Sequence, residues 1–171
     1  MAAGRIVGSM KYLTIIRHAK SQSSDSVPQD RDRELVERGK KDAVSMAKVL
    51  VEKATVPEML VASPAIRARQ TVELLNSLLK MRDERIVYDE TLYMTGAEET
   101  MAVINRMDES VQHLAIVGHN PCMTDCVRAI SGDDIKSIPT CGIAHIELPA
   151  DSWRGVVVGS GIIKWLEYPK K

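Results

Sequence analysis

Phenylalanine is absent from the 171 residues, and Trp and Tyr leave aromatics at only 4%. Single-stranded nucleic acids are commonly held by stacking bases on aromatic rings, so that class of partner is not expected. An excess of charge is also missing, because 23 basic and 23 acidic residues cancel. No overall field steers the chain toward nucleic acid or an anionic membrane, and any anion site must be local. Cysteine is scarce: Cys122, Cys126 and Cys141 are odd in number and contain no CxxC pair. A disulfide framework or zinc site is therefore not expected, and the thiols read as small core groups in a reducing cytosol. No apolar run approaches the length of a membrane span, and residues 1–11 lack the apolar stretch of a secretory signal. The reading is a cytoplasmic protein with one domain over residues 11–171 and a short extension at 1–10, in which Met10 is an alternative start.

What is present suits a globular fold. Hydrophobic residues make up 44% and charged residues 27%, enough for one aliphatic core of Val, Ile, Leu, Ala and nine Met. Leu13 to Ile16 is a β-prone run that delivers Arg17 and His18 at its carboxyl end. Residues 19–34 are polar, contain Pro28 and read as a long loop of the kind found beside functional sites. Ala43, Ala47, Leu50 and Ala54 mark a helix from about Val36 to Lys53.

Glu58 to Ala62 reads as a second strand, followed by Ser63 as N-cap and Pro64 at the first helical position. Ala68, Val72, Leu75 and Leu79 are the buried face of that helix, and Arg67 stands in its first turn, where a cation opposes the macrodipole and a bound anion would relieve the cost. Ile86 to Tyr88 is a third strand. Thr95 and Glu98 form a capping box for a helix carrying Ile104, Met107 and Val111.

Leu114 to Gly118 is the clearest buried strand and delivers His119, with Asn120 as N-cap and Pro121 opening a helix that ends at Gly132. Short β-prone runs at 142–148, 156–158 and 162–168 close the chain, and His113 and His145 read as surface or strand residues without catalytic duty. Strand alternating with helix predicts an α/β three-layer sandwich with a mainly parallel sheet and helices on both faces.

In such a sheet the carboxyl ends of parallel strands share one rim, so Arg17, His18, Arg67 and His119 can converge there. Two guanidiniums and two imidazoles without clustered carboxylates or thiols suit a phosphoryl group better than a metal. Nearby arginine charge disfavours protonation of an imidazole and keeps its nitrogen nucleophilic. Each residue singly has a bland reading as a strand-end pair, a cap-region histidine or a surface cation, but their joint arrival at one rim favours a site.

The segments Ile16-Arg17-His18-Ala19-Lys20-Ser21, Ala62-Ser63-Pro64-Ala65-Ile66-Arg67-Ala68-Arg69-Gln70-Thr71 and Ile116-Val117-Gly118-His119-Asn120-Pro121 resemble the successive signatures of the histidine phosphatase superfamily, the phosphoglycerate-mutase-like proteins. Asp32-Arg33-Glu34-Leu35 before Arg38-Gly39, Pro139-Thr140-Cys141-Gly142 before a strand, and Trp153 followed by Gly161 are similar to the small SixA-type phosphohistidine phosphatases. The resemblance covers nearly everything after Met10. It implies that His18 attacks phosphorus and is transiently phosphorylated, while Arg17, Arg67 and His119 hold the phosphoryl oxygens. Ala19 stands where the wider family usually has glycine.

The family's proton donor is a carboxylate, for which Glu90 is the candidate, with Asp89 and Asp25 behind it; Glu90 reads equally well as a solvated loop carboxylate. Ser21 and Asn120 are placed at the phosphate site as mouth-lining and capping residues, with Lys20 beside them, and Asp30 to Arg33 read as local ion pairs that shape the loop. The expected activity is removal of a phosphoryl group from phosphohistidine on a protein. A small-molecule phosphomonoesterase and a non-catalytic phosphate-binding module are the alternatives. No metal or organic cofactor is called for, and no motif specifies an oligomeric state.

Overall fold

The computed structural model describes residues 9–170, so residues 1–8, most of the expected N-terminal extension, lie outside the described residues. The strands are β1 (Lys11–Arg17), β2 (Met59–Ala62), β3 (Ile86–Tyr88), β4 (His113–Gly118), β5 (Ile143–Leu148) and β6 (Ile162–Glu167). They form one sheet in the order β3-β2-β4-β1-β5-β6. The first four run parallel, β5 is antiparallel to β1, and β6 is antiparallel to β5. The helices are α1 (Glu37–Glu52), α2 (Ile66–Leu79), α3 (Ala97–Asn105) and α4 (Cys122–Ser131).

Period-two alternation divides the central strands between two cores. Leu13 and Ile15 of β1 and Leu114 and Ile116 of β4 pack with Met123 and Val127 of α4. Ile16, Ala115 and Val117 point the other way, onto Ala43 and Leu50 of α1 and Ala68 and Leu75 of α2. Helices α1 and α2 thus cover one face while α3 and α4 cover the other. The expected three-layer α/β sandwich is the observed fold.

His113 and His145 are not surface residues: both are buried, and both meet the hydroxyl of Thr14, at 2.7 and 3.0 Å. Tyr12 and Trp165 stack on His145. One hydroxyl has one proton, so it donates to one ring and accepts from the other. Burial lowers the pKa of both histidines, that of His113 to about 4.

Three local expectations shift. Helix α3 is capped at Gly96, whose N–H donates to the Glu99 carboxylate at 3.0 Å, one residue later than the Thr95 and Glu98 pair. It ends at Asn105, so Met107 and Val111 reach the core from beyond it. Residues 156–158 form no strand. There Gly159 and Gly161 donate instead to Ala129 and Ile130 at the end of α4, leaving Val157 and Val158 exposed.

Candidate active site

The parallel register of β1 and β4 pairs Arg17 with Gly118, which brings the next residue of each strand, His18 and His119, to the same rim. The His18 N–H donates to the Gly118 carbonyl at 3.0 Å, and the two imidazole centroids are 5.1 Å apart. Strand β2 is registered beside β4 so that the Ser63 N–H donates to Val117, and the chain then turns into α2 with Arg67 as its second residue. The four residues expected to converge do so. They line one cavity of about 250 Å³ together with Lys20, Ser21, Asp30, Arg33, Met94, Asn120 and Thr140.

His18 is buried, and its Nδ1 lies 2.8 Å from the Ala19 carbonyl. A carbonyl can only accept, so Nδ1 carries the proton and the unprotonated Nε2 accepts a hydrogen bond from Arg67 Nε. Burial lowers the His18 pKa to about 3, against the Ala19 hydrogen bond and with added repulsion from His119, Arg67 and Arg17. The ring is therefore neutral near pH 7, with its lone pair 3.3 Å from Arg67 Nε. Such a nitrogen can attack an electrophilic phosphorus.

His119 is built as its counterpart. Ser63 Oγ, fully buried, lies 2.7 Å from His119 Nε2 and accepts the Ala65 N–H at 3.3 Å. Among the described residues Nε2 is the one acceptor within reach of the buried serine proton, and giving that proton its partner places the His119 proton on Nδ1 as a donor. That Nδ1 is buried and has no partner among the described residues, and the same is true of Arg17 Nε. Buried donors without acceptors are uncommon, and two beside one cavity suit an oxyanion. Burial and then Arg67 lower the His119 pKa to about 4. Arg17 is fixed through Nη1 to the Ile138 carbonyl at 2.9 Å.

Arg67 is 3% exposed, and each of its two terminal nitrogens gives one of its two N–H groups to one residue of the long loop. Nη1 donates to the Asp30 carbonyl at 2.7 Å and Nη2 to the Asp30 carboxylate at 2.9 Å. The anion expected to relieve a cation at a helix N-terminus is here an internal one. Arg33 and the Tyr93 hydroxyl also donate to that carboxylate. Burial alone would raise the Asp30 pKa; hydrogen bonds from Arg33 and Arg67 outweigh it and hold it at about 2. Asp30 and Arg33, read from sequence only as loop-shaping, thus reach the cavity itself.

Glu90 does not line the cavity. It stands in a 3-10 turn after β3, and Arg31 holds its exposed carboxylate at 2.5 and 3.0 Å. The Arg31 hydrogen bond lowers its pKa, the wrong direction for a proton donor. Its expected acid role is corrected to a surface ion pair that anchors the loop. Asp89 is likewise engaged, by Arg106 and the Thr91 N–H, and Asp25 is absent from the cavity lining.

Ser21 and Asn120 do line the cavity. Ser21 Oγ accepts from Arg33, while Asn120 Oδ1 accepts the Thr124 N–H and hydroxyl and its amide donates to Ser137 and Ile138. The expected cap shifts by one residue: α4 begins at Cys122 with Pro121 at its N-cap, while Asn120, one position further out, still accepts the Thr124 N–H and braces the carbonyl that also holds Arg17. The expected cap at Ser63 is different: α2 begins at Ile66, and the serine serves His119. Thr71 was not anticipated, yet its hydroxyl accepts the Ala19 N–H and donates to the Arg67 carbonyl, tying the end of β1 to α2. Only the Ser-Pro step after a strand and the polar Thr71 within an apolar stripe hinted at these two. Among the described residues no group of three or more His, Cys, Asp or Glu is placed to hold a metal ion.

Comparison with known proteins gives a consistent pattern. The model of the histidine phosphatase superfamily, branch 1, matches residues 13–93. An uncharacterised protein of Mycobacterium tuberculosis is 30% identical over 165 residues, spanning 91% of this chain and 100% of the relative. A crystal structure assigned to a phosphohistidine phosphatase, SixA, of Agrobacterium tumefaciens superposes with a TM-score of 0.80 at 26% identity, over 93% of this chain and 98% of that one. The protein histidine phosphatase SixA complexed with tungstate shares the fold, with a TM-score of 0.75 at 23% identity over 92% of this chain and 96% of that one.

Proposed function

Since the chain belongs to the histidine phosphatase superfamily and is a histidine-dependent phosphatase, we propose that it hydrolyses phosphohistidine on a protein through a phosphoenzyme formed on His18. The observation that carries this reading is the neutral, buried His18, whose unprotonated Nε2 is held by the Arg67 Nε–H at a cavity lined by Arg17, Arg67 and His119. In the first step Nε2 forms a bond to phosphorus as the bond from phosphorus to the substrate nitrogen breaks in line with it. The departing imidazole takes the electron pair. Arg17, Arg67 and the Nδ1–H of His119 hold the three equatorial oxygens as charge shifts. Water then attacks the phosphohistidine of the enzyme, His18 leaves with its lone pair restored, and inorganic phosphate and a proton are released.

The carboxylates support this substrate class. Glu90 is engaged by Arg31, and Asp30 is held ionised by Arg33 and Arg67, so neither is a ready acid. An alkoxide leaving group needs such a donor. A phosphohistidine protonated by solvent on its second ring nitrogen departs as neutral imidazole and does not. A structural relative bears tungstate, an oxyanion of phosphate-like shape.

The test compares wild type with His18→Ala on p-nitrophenyl phosphate. Turnover should fall by at least about a thousandfold, and equal turnover would remove His18 as nucleophile. A trapped phosphoenzyme should be acid-labile and base-stable. Matched against a panel of phosphate esters, a phosphohistidine protein should show the higher kcat/KM, and a clear preference for an ester overturns the substrate assignment.

A further inference from the structure

Next to the phosphate cavity lies a second hollow of about 380 Å³ that shares Lys20 and Thr140 with it. The two hollows adjoin at those residues. The remaining walls of the second come from Pro139, the start of α1 and the segment after β6, the last two about 130 positions apart in sequence.

Its charge is one-sided. Lys20, Arg38 and Lys170 bring cations, and Asp42 brings the one carboxylate among the lining residues. Asp42 is 16% exposed and faces Arg38 at 3.7 Å, so part of one cation is answered. Among the described residues Lys20 and Lys170 have no carboxylate partner. In a chain with no net charge, such a local excess at the mouth of the site is a feature of the site. Tyr168, half exposed, and Pro169 add an apolar wall.

We propose that this groove receives an acidic segment flanking the phosphohistidine of a protein substrate. The phosphoryl group enters the cavity, Asp or Glu side chains beside it pair with Arg38, Lys170 and Lys20, and the intervening chain lies against Tyr168 and Pro169. This rests on the phosphohistidine reading above and adds a specificity subsite to it. Charge pairs of this exposed kind act on partner choice and encounter more than on chemistry.

The experiment uses two phosphohistidine peptides of equal length, one with Asp and Glu around the histidine and one with Lys, and p-nitrophenyl phosphate as a substrate too small for the groove. Wild type should favour the acidic peptide by about tenfold or more in kcat/KM. The double variant Arg38→Glu/Lys170→Glu should lose or reverse that preference with p-nitrophenyl phosphate turnover unchanged. Lys170→Glu alone, which breaks no ion pair, should lower the preference in the same direction if the double variant folds poorly. Equal use of both peptides by wild type, or a preference retained in the variants, overturns the groove while leaving the phosphohistidine reading standing. Turnover of p-nitrophenyl phosphate with neither peptide hydrolysed overturns both.

Discussion

His18 and His119 carry the same ring, and their hydrogen-bond partners give them opposite tautomers. The Ala19 carbonyl holds the proton on one face of His18 and leaves Nε2 unprotonated, whereas Ser63 supplies a proton to Nε2 of His119 and leaves Nδ1 as a donor. In the proposed mechanism this tautomer choice makes one imidazole the nucleophile and the other an oxyanion ligand. Removing the Ser63 hydroxyl should therefore weaken more than packing. Ser63→Ala strands a buried ring nitrogen and the Ala65 N–H, at a cost of about 1–3 kcal/mol. It should lower kcat/KM on p-nitrophenyl phosphate by roughly tenfold through loss of the fixed tautomer. Steady-state kinetics beside a denaturant melt measures both, and unchanged kinetics would show that Ser63 does not set the His119 proton.

At the scale of elements, the long loop after β1 is a structural part of the site. It is pinned at both ends, by the Ser21 to Leu35 bridge and by Arg31 on Glu90, and Asp30 between them engages Arg67. Its return into α1 depends on Gly39. A Cβ there would meet the Lys20 carbonyl at 2.0 Å, and that carbonyl also accepts the Val36 N–H. Helix propensity alone would make Gly39→Ala stabilising by about 1 kcal/mol. The close approach reverses the sign: the variant should lose about 1–3 kcal/mol and turn over more slowly, because Lys20 is two residues from His18. A thermal melt that rises on substitution would contradict the packing.

Across the whole molecule, buried neutral histidines link stability to pH. Burial brings His18 to about 3 and His113 and His119 to about 4 in the folded chain, while the unfolded chain binds protons near the ordinary value of about 6.5. Above that value both states are neutral and stability is undiminished. As pH falls from about 6.5 toward 4, the unfolded chain gains protons that the folded chain refuses, so stability falls. The depressed Asp30 carboxyl adds a loss in the same direction at lower pH, as it is protonated toward 2. The melting temperature should drop by roughly 10 °C between pH 7 and pH 5. A flat profile over that interval would contradict neutral burial.

Much of the fold and part of the site were legible before the structure, and the division has a physical cause. Apolar runs at period two and period 3.6 depend on local backbone geometry, so the strands at Leu13 and Leu114 and the helices at Ala43 and Ala68 read directly from sequence. Arg17, His18, Arg67 and His119 read as a site because parallel strands share a rim whatever their distance in sequence. Val156 to Val158 shows the limit: β-propensity makes a strand only where the chain is laid beside a neighbour's backbone, and these residues pair with no strand. Which carboxylate serves Arg67, which serine sets His119 and where Glu90 turns were decided only by tertiary structure. Asp30, Ser63 and Arg31 reach partners 37, 56 and 59 positions away. Such long-range hydrogen bonds leave no periodic trace, because their geometry exists only once the loop has closed over the sheet.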